Sequence, residues 1–158
     1  MALLAGCGTS ARKDETSLRR VQGAGYSFRA PADWRTTRKL RVVQAARERS
    51  PSLVSVSTFP LARPYRPELW PKVMPQLDAV AHELAKRLGG RVATARTETI
   101  GGRRARRYEL VVPSSAVRRR IAFVLDGRTE YQLFCRFRQN DAEALRACEE
   151  LLDSFSLG

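Results

Sequence analysis

Apolar residues recur every second position in some stretches of this chain and every third or fourth in others, and the switch of period divides it into elements. Tyr26-Ser27-Phe28 alternates, and Pro31 with Asp33-Trp34 then forms a turn carrying a large aromatic anchor. Leu40–Ala46 and Leu53–Phe59 are short β-type runs separated by the polar turn Arg47-Glu48-Arg49-Ser50-Pro51. In the second run Val54 and Val56 alternate with Ser55 and Ser57, as a half-buried strand requires. The period then lengthens. Trp70, Val73, Met74, Leu77, Val80, Ala81, Leu84 and Leu88 fall on one face of a long helix. Pro71 and Pro75 lie on its polar side and place its start at one or the other, where a missing N–H costs least. Gly89-Gly90 ends it.

Four further strands follow, Val92–Thr99, Arg104–Val112, Val117–Leu125 and Glu130–Phe137, joined through Gly101-Gly102, Pro113-Ser114-Ser115 and Asp126-Gly127. Links this short force antiparallel neighbours. A last helix runs from its N-cap Asp141 to Asp153, with Leu145, Cys148, Leu151, Leu152 and Phe155 on one side. The order β-β-β-α-β-β-β-β-α predicts an α+β domain, an antiparallel sheet with helices packed on it. It occupies residues 25–158. Residues 8–24 are polar and without apolar period, and read as a flexible tether with a reach of about 20–25 Å.

Composition adds one unusual feature. At 43% hydrophobic and 28% charged, the 158 residues suit a single folded domain, but the net charge is +13 and only four of the 29 basic residues are lysines. A basic surface for anionic headgroups, a cell-wall polymer or an acidic protein is one reading; arginine spread over solvated faces with no partner is the other. The densest clusters are Arg103, Arg104, Arg106 and Arg107, and Arg118, Arg119 and Arg120. In a hairpin turning at Pro113–Ala116, Leu110 opposes Arg119, and the clusters form a stripe along a sheet edge. Nucleic acid fits poorly, because no recognition-helix motif is present and aromatics do not interleave with the arginines.

Little in the sequence points to catalysis or to a cofactor. His82, the one histidine, falls on the polar side of its helix, and no nucleophile motif accompanies it. Gly101-Gly102 lacks both the P-loop lysine and a dinucleotide fingerprint. Three cysteines, one histidine and no CxxC do not make a zinc site, so no metal is expected. Trp34, Trp70, Tyr65 and Phe59 read as a turn anchor and core positions before they read as a ligand groove.

Cys135 shares a strand face with Leu133 and Phe137, and Cys148 shares a helix side with Leu145 and Leu152. If the helix folds back on the preceding strand, the two sulfurs face one another. A disulfide closing a loop of about 14 residues would stabilise by about 3 kcal/mol and would need an oxidising compartment. Two buried free thiols are the alternative.

Two resemblances complete the reading. Leu4-Ala5-Gly6-Cys7 resembles the bacterial lipobox, with small polar residues Gly8-Thr9-Ser10 after it. It implies cleavage before Cys7, acylation of that cysteine and residues 1–7 as the remnant of a signal peptide. The second runs from Tyr26-Ser27-Phe28 and Pro31-Ala32-Asp33-Trp34, through Ile100-Gly101-Gly102 with Arg103–Leu110 and the Asp126-Gly127 turn, to Leu151-Leu152-Asp153-Ser154-Phe155. It resembles the PsbP-like superfamily, in particular bacterial lipoproteins of the LpqN and DcrB type. That resemblance implies an α/β/α sandwich, a non-enzymatic binding or scaffold role, and a lipid-anchored place in the cell envelope.

Overall fold

A computed structural model describes residues 16–158. Ten strands and two α-helices form three layers. The central layer is a seven-stranded antiparallel sheet made of β3 (Arg35–Lys39), β4 (Val42–Ala46), β5 (Leu53–Pro60), β6 (Arg91–Ile100), β7 (Arg103–Val111), β8 (Val117–Asp126) and β9 (Thr129–Arg138), in the spatial order β3-β4-β5-β9-β8-β7-β6. On one face lies α1 (Trp70–Arg87), packed against β6 and β7. On the other lie α2 (Ala142–Ser154) and a three-stranded sheet of β1 (Leu18–Gly23), β2 (Tyr26–Pro31) and β10 (Ser156–Leu157), in the order β1-β2-β10.

The antiparallel sheet with packed helices agrees with the sequence pattern, and the seven strands read there are all present. Three were missed. β1 falls in the segment expected to be a tether: Val21 is its one buried side chain, too little for a period, yet Leu18 to Gly23 pair with Pro31 back to Tyr26. Residues 18–23 of the expected tether are therefore strand. β3 reads RTTRK with no apolar residue and is held by its pairing with β4. β10 is two residues long. Leu40, expected to open a strand, sits in the β3–β4 turn, fully exposed.

Each helix starts for a local reason. α1 begins at Trp70 with Pro71 in its first turn, and Pro75 lies inside it rather than at its start. Pro75 is exposed and early in the helix, so the hydrogen bond it removes leaves a carbonyl that water can satisfy. At α2, the Asp141 side chain accepts from the Ala144 N–H at 3.1 Å, the expected cap. Burial pushes the Asp141 carboxyl up, but the bonds from Ala144 and Ser52 and the nearby Arg47 outweigh it and hold the group below the usual range.

Alternation along the strands sorts the core in two. Val43, Ala45, Val54, Val56, Ala122, Val124, Leu133 and Cys135 face α2 and the small sheet, where Trp34, Tyr26 and Phe28 close the layer. Tyr108, Leu110, Ile121 and Phe123 face α1 and meet Trp70, Leu77, Ala81 and Ala85. Trp34 and Trp70 are thus core anchors, whereas Phe59 is partly exposed.

Candidate functional site

The arginine clusters do not form the expected edge stripe. β7 and β8 are interior strands, and the period of two sends neighbouring arginines to opposite faces. Arg106 and Arg104 point toward α1. The Arg106 guanidinium grips Asp78 of α1 with both ends, Nε to Oδ1 at 2.9 Å and Nη2 to Oδ2 at 3.2 Å, while the Tyr108 hydroxyl donates to Oδ1 at 2.6 Å. Arg106 above all holds the Asp78 carboxyl below its ordinary value, and burial pushes the Tyr108 hydroxyl up. Arg104 lies over the Trp70 ring at 5.8 Å.

On the α2 face, Arg107 is buried and paired with Glu98 at 3.4 Å and Glu149 at 3.6 Å. Arg120 bridges Glu109, at 2.8 Å, and Glu149. Arg103 holds Asp126 at 2.7 Å. Arg47 reaches Asp141 and Glu143, and Arg29 reaches Glu150. Four of the seven cluster arginines therefore have carboxylate partners. These side chains tie the layers together and leave little charge for a visitor.

Arg119 and Arg118 differ. Arg118 lines a small depression beside α2 with Phe137 and Leu145. Arg119 points to the α1 side, directly opposite Arg136 of β9. Following that pairing across the sheet gives the row Arg35–Ala46–Leu53–Arg136–Arg119–Leu110. The next row is Thr37–Gln44–Ser55–Phe134–Ile121–Tyr108, and the third is Lys39–Val42–Ser57–Gln132–Phe123–Arg106. Helix α1 roofs the right-hand part of these rows, on β6 and β7 and over Ile121 and Phe123 of β8, while Arg119, nearer the start of β8, stands at the border of the uncovered part. The left-hand part, on β3, β4, β5 and β9, has no helix on it.

This open half carries Arg35, Lys39, Arg119, Arg136 and Arg138 on one face. None of the five takes part in an ion pair among the described residues. Arg119 donates from Nη1 to the Val117 carbonyl at 3.3 Å and Arg136 from Nε to the Pro51 carbonyl at 2.8 Å. Between the cations stand Thr37, Gln44, Ser57 and Gln132, all half-buried. The sequence singled out Arg119 alone of this set. Arg136 and Arg35 were visible only as alternate positions of their strands, and the order β5-β9-β8 is what assembles them.

The other expected sites fall as follows. Cys135 and Cys148 are joined by a disulfide between β9 and α2, with Cα atoms 5.6 Å apart. Cys7 lies outside the described residues, as do residues 8–15 of the expected tether. His82 is exposed on α1, its Nδ1 donating to the Asp78 carbonyl at 2.7 Å. Among the described residues no group of three or more His, Cys, Asp and Glu is placed to hold a metal ion, and no helix is long and apolar enough to cross a membrane.

A search of solved structures decides what this arrangement is like. The solution structure of cyanobacterial PsbP (CyanoP) from Synechocystis sp. PCC 6803 superposes with a TM-score of 0.64, over 98% of this chain and 99% of that one, at 14% identity. The fold is PsbP-like. A crystal structure from Bacteroides thetaiotaomicron VPI-5482 matches with a TM-score of 0.54, over 85% of this chain and 45% of that one, at 10% identity. No family model matches the sequence, and no curated protein matches it. At these identities the likeness is one of fold, so the PsbP-like scaffold says where the layers lie and leaves the choice of ligand to the side chains.

Proposed function

We propose that this PsbP-like domain is a non-catalytic binding or scaffold module, held at a bacterial membrane surface by lipid on Cys7 and working on the envelope side of that membrane. The Cys135–Cys148 disulfide is the observation that carries the compartment, because a bridge between buried thiols persists where the surroundings are oxidising. The Leu4-Ala5-Gly6-Cys7 motif supports the anchor. The spending of most cluster arginines on internal carboxylates, and of the His82 Nδ1 on a backbone carbonyl, supports a binding role over acid–base chemistry. The bacterial lipoproteins of the LpqN and DcrB type are the branch this role resembles.

Mass spectrometry of the N-terminus, on protein taken from its native host, tests the anchor. The expected result is a chain beginning at Cys7 with acyl mass added. An unmodified chain beginning at Met1 overturns it and moves the basic surface to a cytosolic setting, where binding to nucleic acid would be measured next.

A further inference from the structure

We infer that the open half of the central sheet, on the α1 side of β3, β4, β5 and β9 with Arg119 of β8 at its border, is a docking surface for an anionic polysaccharide. This rests on the sheet's geometry and stands whether or not Cys7 carries lipid.

Charge is the first argument. Arg136 and Arg119 stand directly opposite one another on neighbouring interior strands with no carboxylate between them. Like charges in that position work against the pairing. Arg35 and Lys39 lie on the edge strand β3, where cations also guard against sheet-to-sheet association. That explanation does not reach Arg119 and Arg136, which have strands on both sides. Their remaining guanidinium N–H groups have no acceptor among the described residues, and a visiting carboxylate or sulfate would accept from both. The strands of the open half carry one carboxylate on this face, Glu130, at its far end, where Gln132 donates to it at 2.6 Å, and the turn at its rim adds Glu48.

Shape is the second. A depression of about 410 Å³ is lined by Arg35, Thr37, Gln44 and Ala46 together with the turn 47–49. Its turn contributes the exposed Glu48 as well as Arg49, and Arg49 has φ 54°. That left-handed conformation is uncommon for a side chain of this size; here it accompanies a cation at the rim.

The chemistry between the cations selects the partner. Thr37, Gln44, Ser57 and Gln132 offer hydroxyls and amides, which both donate and accept. A chain with many hydroxyls and regularly spaced acidic groups matches that mixture. The apolar side chains of this face, Val42, Leu53 and Phe134, are half-buried, and its exposed ring, Phe59, stands beside Glu130 at the end away from Arg35, Arg119 and Arg136. The cations therefore have neither the clustered anchors a protein partner uses nor the run of rings on which single-stranded nucleic acid stacks. A membrane would need an apolar projection; the exposed Leu40 belongs to the β3–β4 turn rather than to this face.

The test uses the full chain and isothermal titration calorimetry at physiological salt. Polygalacturonate is the probe, with dextran as its uncharged counterpart. Arg35→Gln/Arg119→Gln/Arg136→Gln is compared with Arg63→Gln/Lys86→Gln/Arg146→Gln, which removes equal charge from exposed positions elsewhere. We expect polygalacturonate to bind and dextran not to. The first triple variant should lose affinity about tenfold or more, and the second less than about threefold, because directed charge-assisted bonds carry more than net charge does. Hydrogen exchange on the unsubstituted protein should show added protection in β3–β5. The inference is overturned by absence of polygalacturonate binding, by equal losses in the two variants, or by protection elsewhere. Tighter binding of phosphatidylglycerol vesicles or of an oligonucleotide, lost in the first variant alone, overturns it in favour of that partner.

Discussion

The α1 side of the central sheet has two halves that treat the same residue type in opposite ways. Under the helix, Arg106 meets the Asp78 carboxylate and the Tyr108 hydroxyl at the rim of a packed apolar layer. On the open half, among the described residues, Arg119 and Arg136 reach only backbone carbonyls and face each other. Register alone places all three, since each is an outward alternate position of its strand. What differs is whether a helix brings an acid to the position. An arginine here is structural where α1 reaches it and available where α1 does not.

Substitutions can break that contrast, beginning with the apolar layer. Leu110→Ala, buried under α1, should cost about 2–5 kcal/mol by loss of burial and the cavity left behind. Leu53→Ala, in the same row on the open half, should cost far less because its side chain is only half-buried. Urea unfolding of the two variants measures the difference, and equal costs would show that the open half is packed after all.

The second effect lies on the opposite face. Replacing both Cys135 and Cys148 by serine should lower stability by about 3 kcal/mol through the added entropy of the unfolded chain. The same unfolding curve recorded on the unsubstituted protein with reductant should fall by a similar amount.

The layered architecture was legible in the sequence because alternation and helical spacing report which side chains are buried, and burial dominates folding. β1 and β3 were not, since the two apolar residues of LRRVQG, Leu18 and Val21, stand three apart and share no period of two, and RTTRK has none. The candidate site was the least legible part. The sequence marks Arg106 and Arg119 alike as members of basic clusters. Their fates depend on Asp78, 28 residues before Arg106, and on a strand order that inserts β9 between β5 and β8. Neither leaves a trace in local pattern.

A third prediction separates the paired arginine from the free ones. Asp78→Asn should cost about 1–3 kcal/mol at neutral pH, the range for hydrogen bonds to charged groups. The fold lowers the Asp78 pKa, so its contribution is present above the unfolded value near 3.8 and is lost as pH falls through the lower folded value. Unfolding midpoints recorded between pH 2 and pH 7 should show that acid limb in the unsubstituted protein and a shallower one in the variant.

The smallest effect has the opposite sign. Arg136→Thr should leave stability unchanged or raise it by about 0.2–1 kcal/mol, because it removes a like-charge cross-strand pair and places a β-branched residue on a strand. Arg106→Gln should destabilise. If calorimetric melting shows both substitutions moving the midpoint in the same direction, the two halves do not differ in the way described.

The small sheet sets the order in which the molecule can be finished. β2 borders β1, its near neighbour in sequence, on one edge and β10 on the other, and the Ser27 and Ser156 hydroxyls that meet there, 3.0 Å apart, are separated by 129 residues. Loop-closure entropy makes so distant a pairing late and slow. During synthesis one edge of β2 consequently stays without its partner until Ser156 and Leu157 have left the ribosome, so the small sheet closes only after the nine other strands and both α-helices of the described residues have been made.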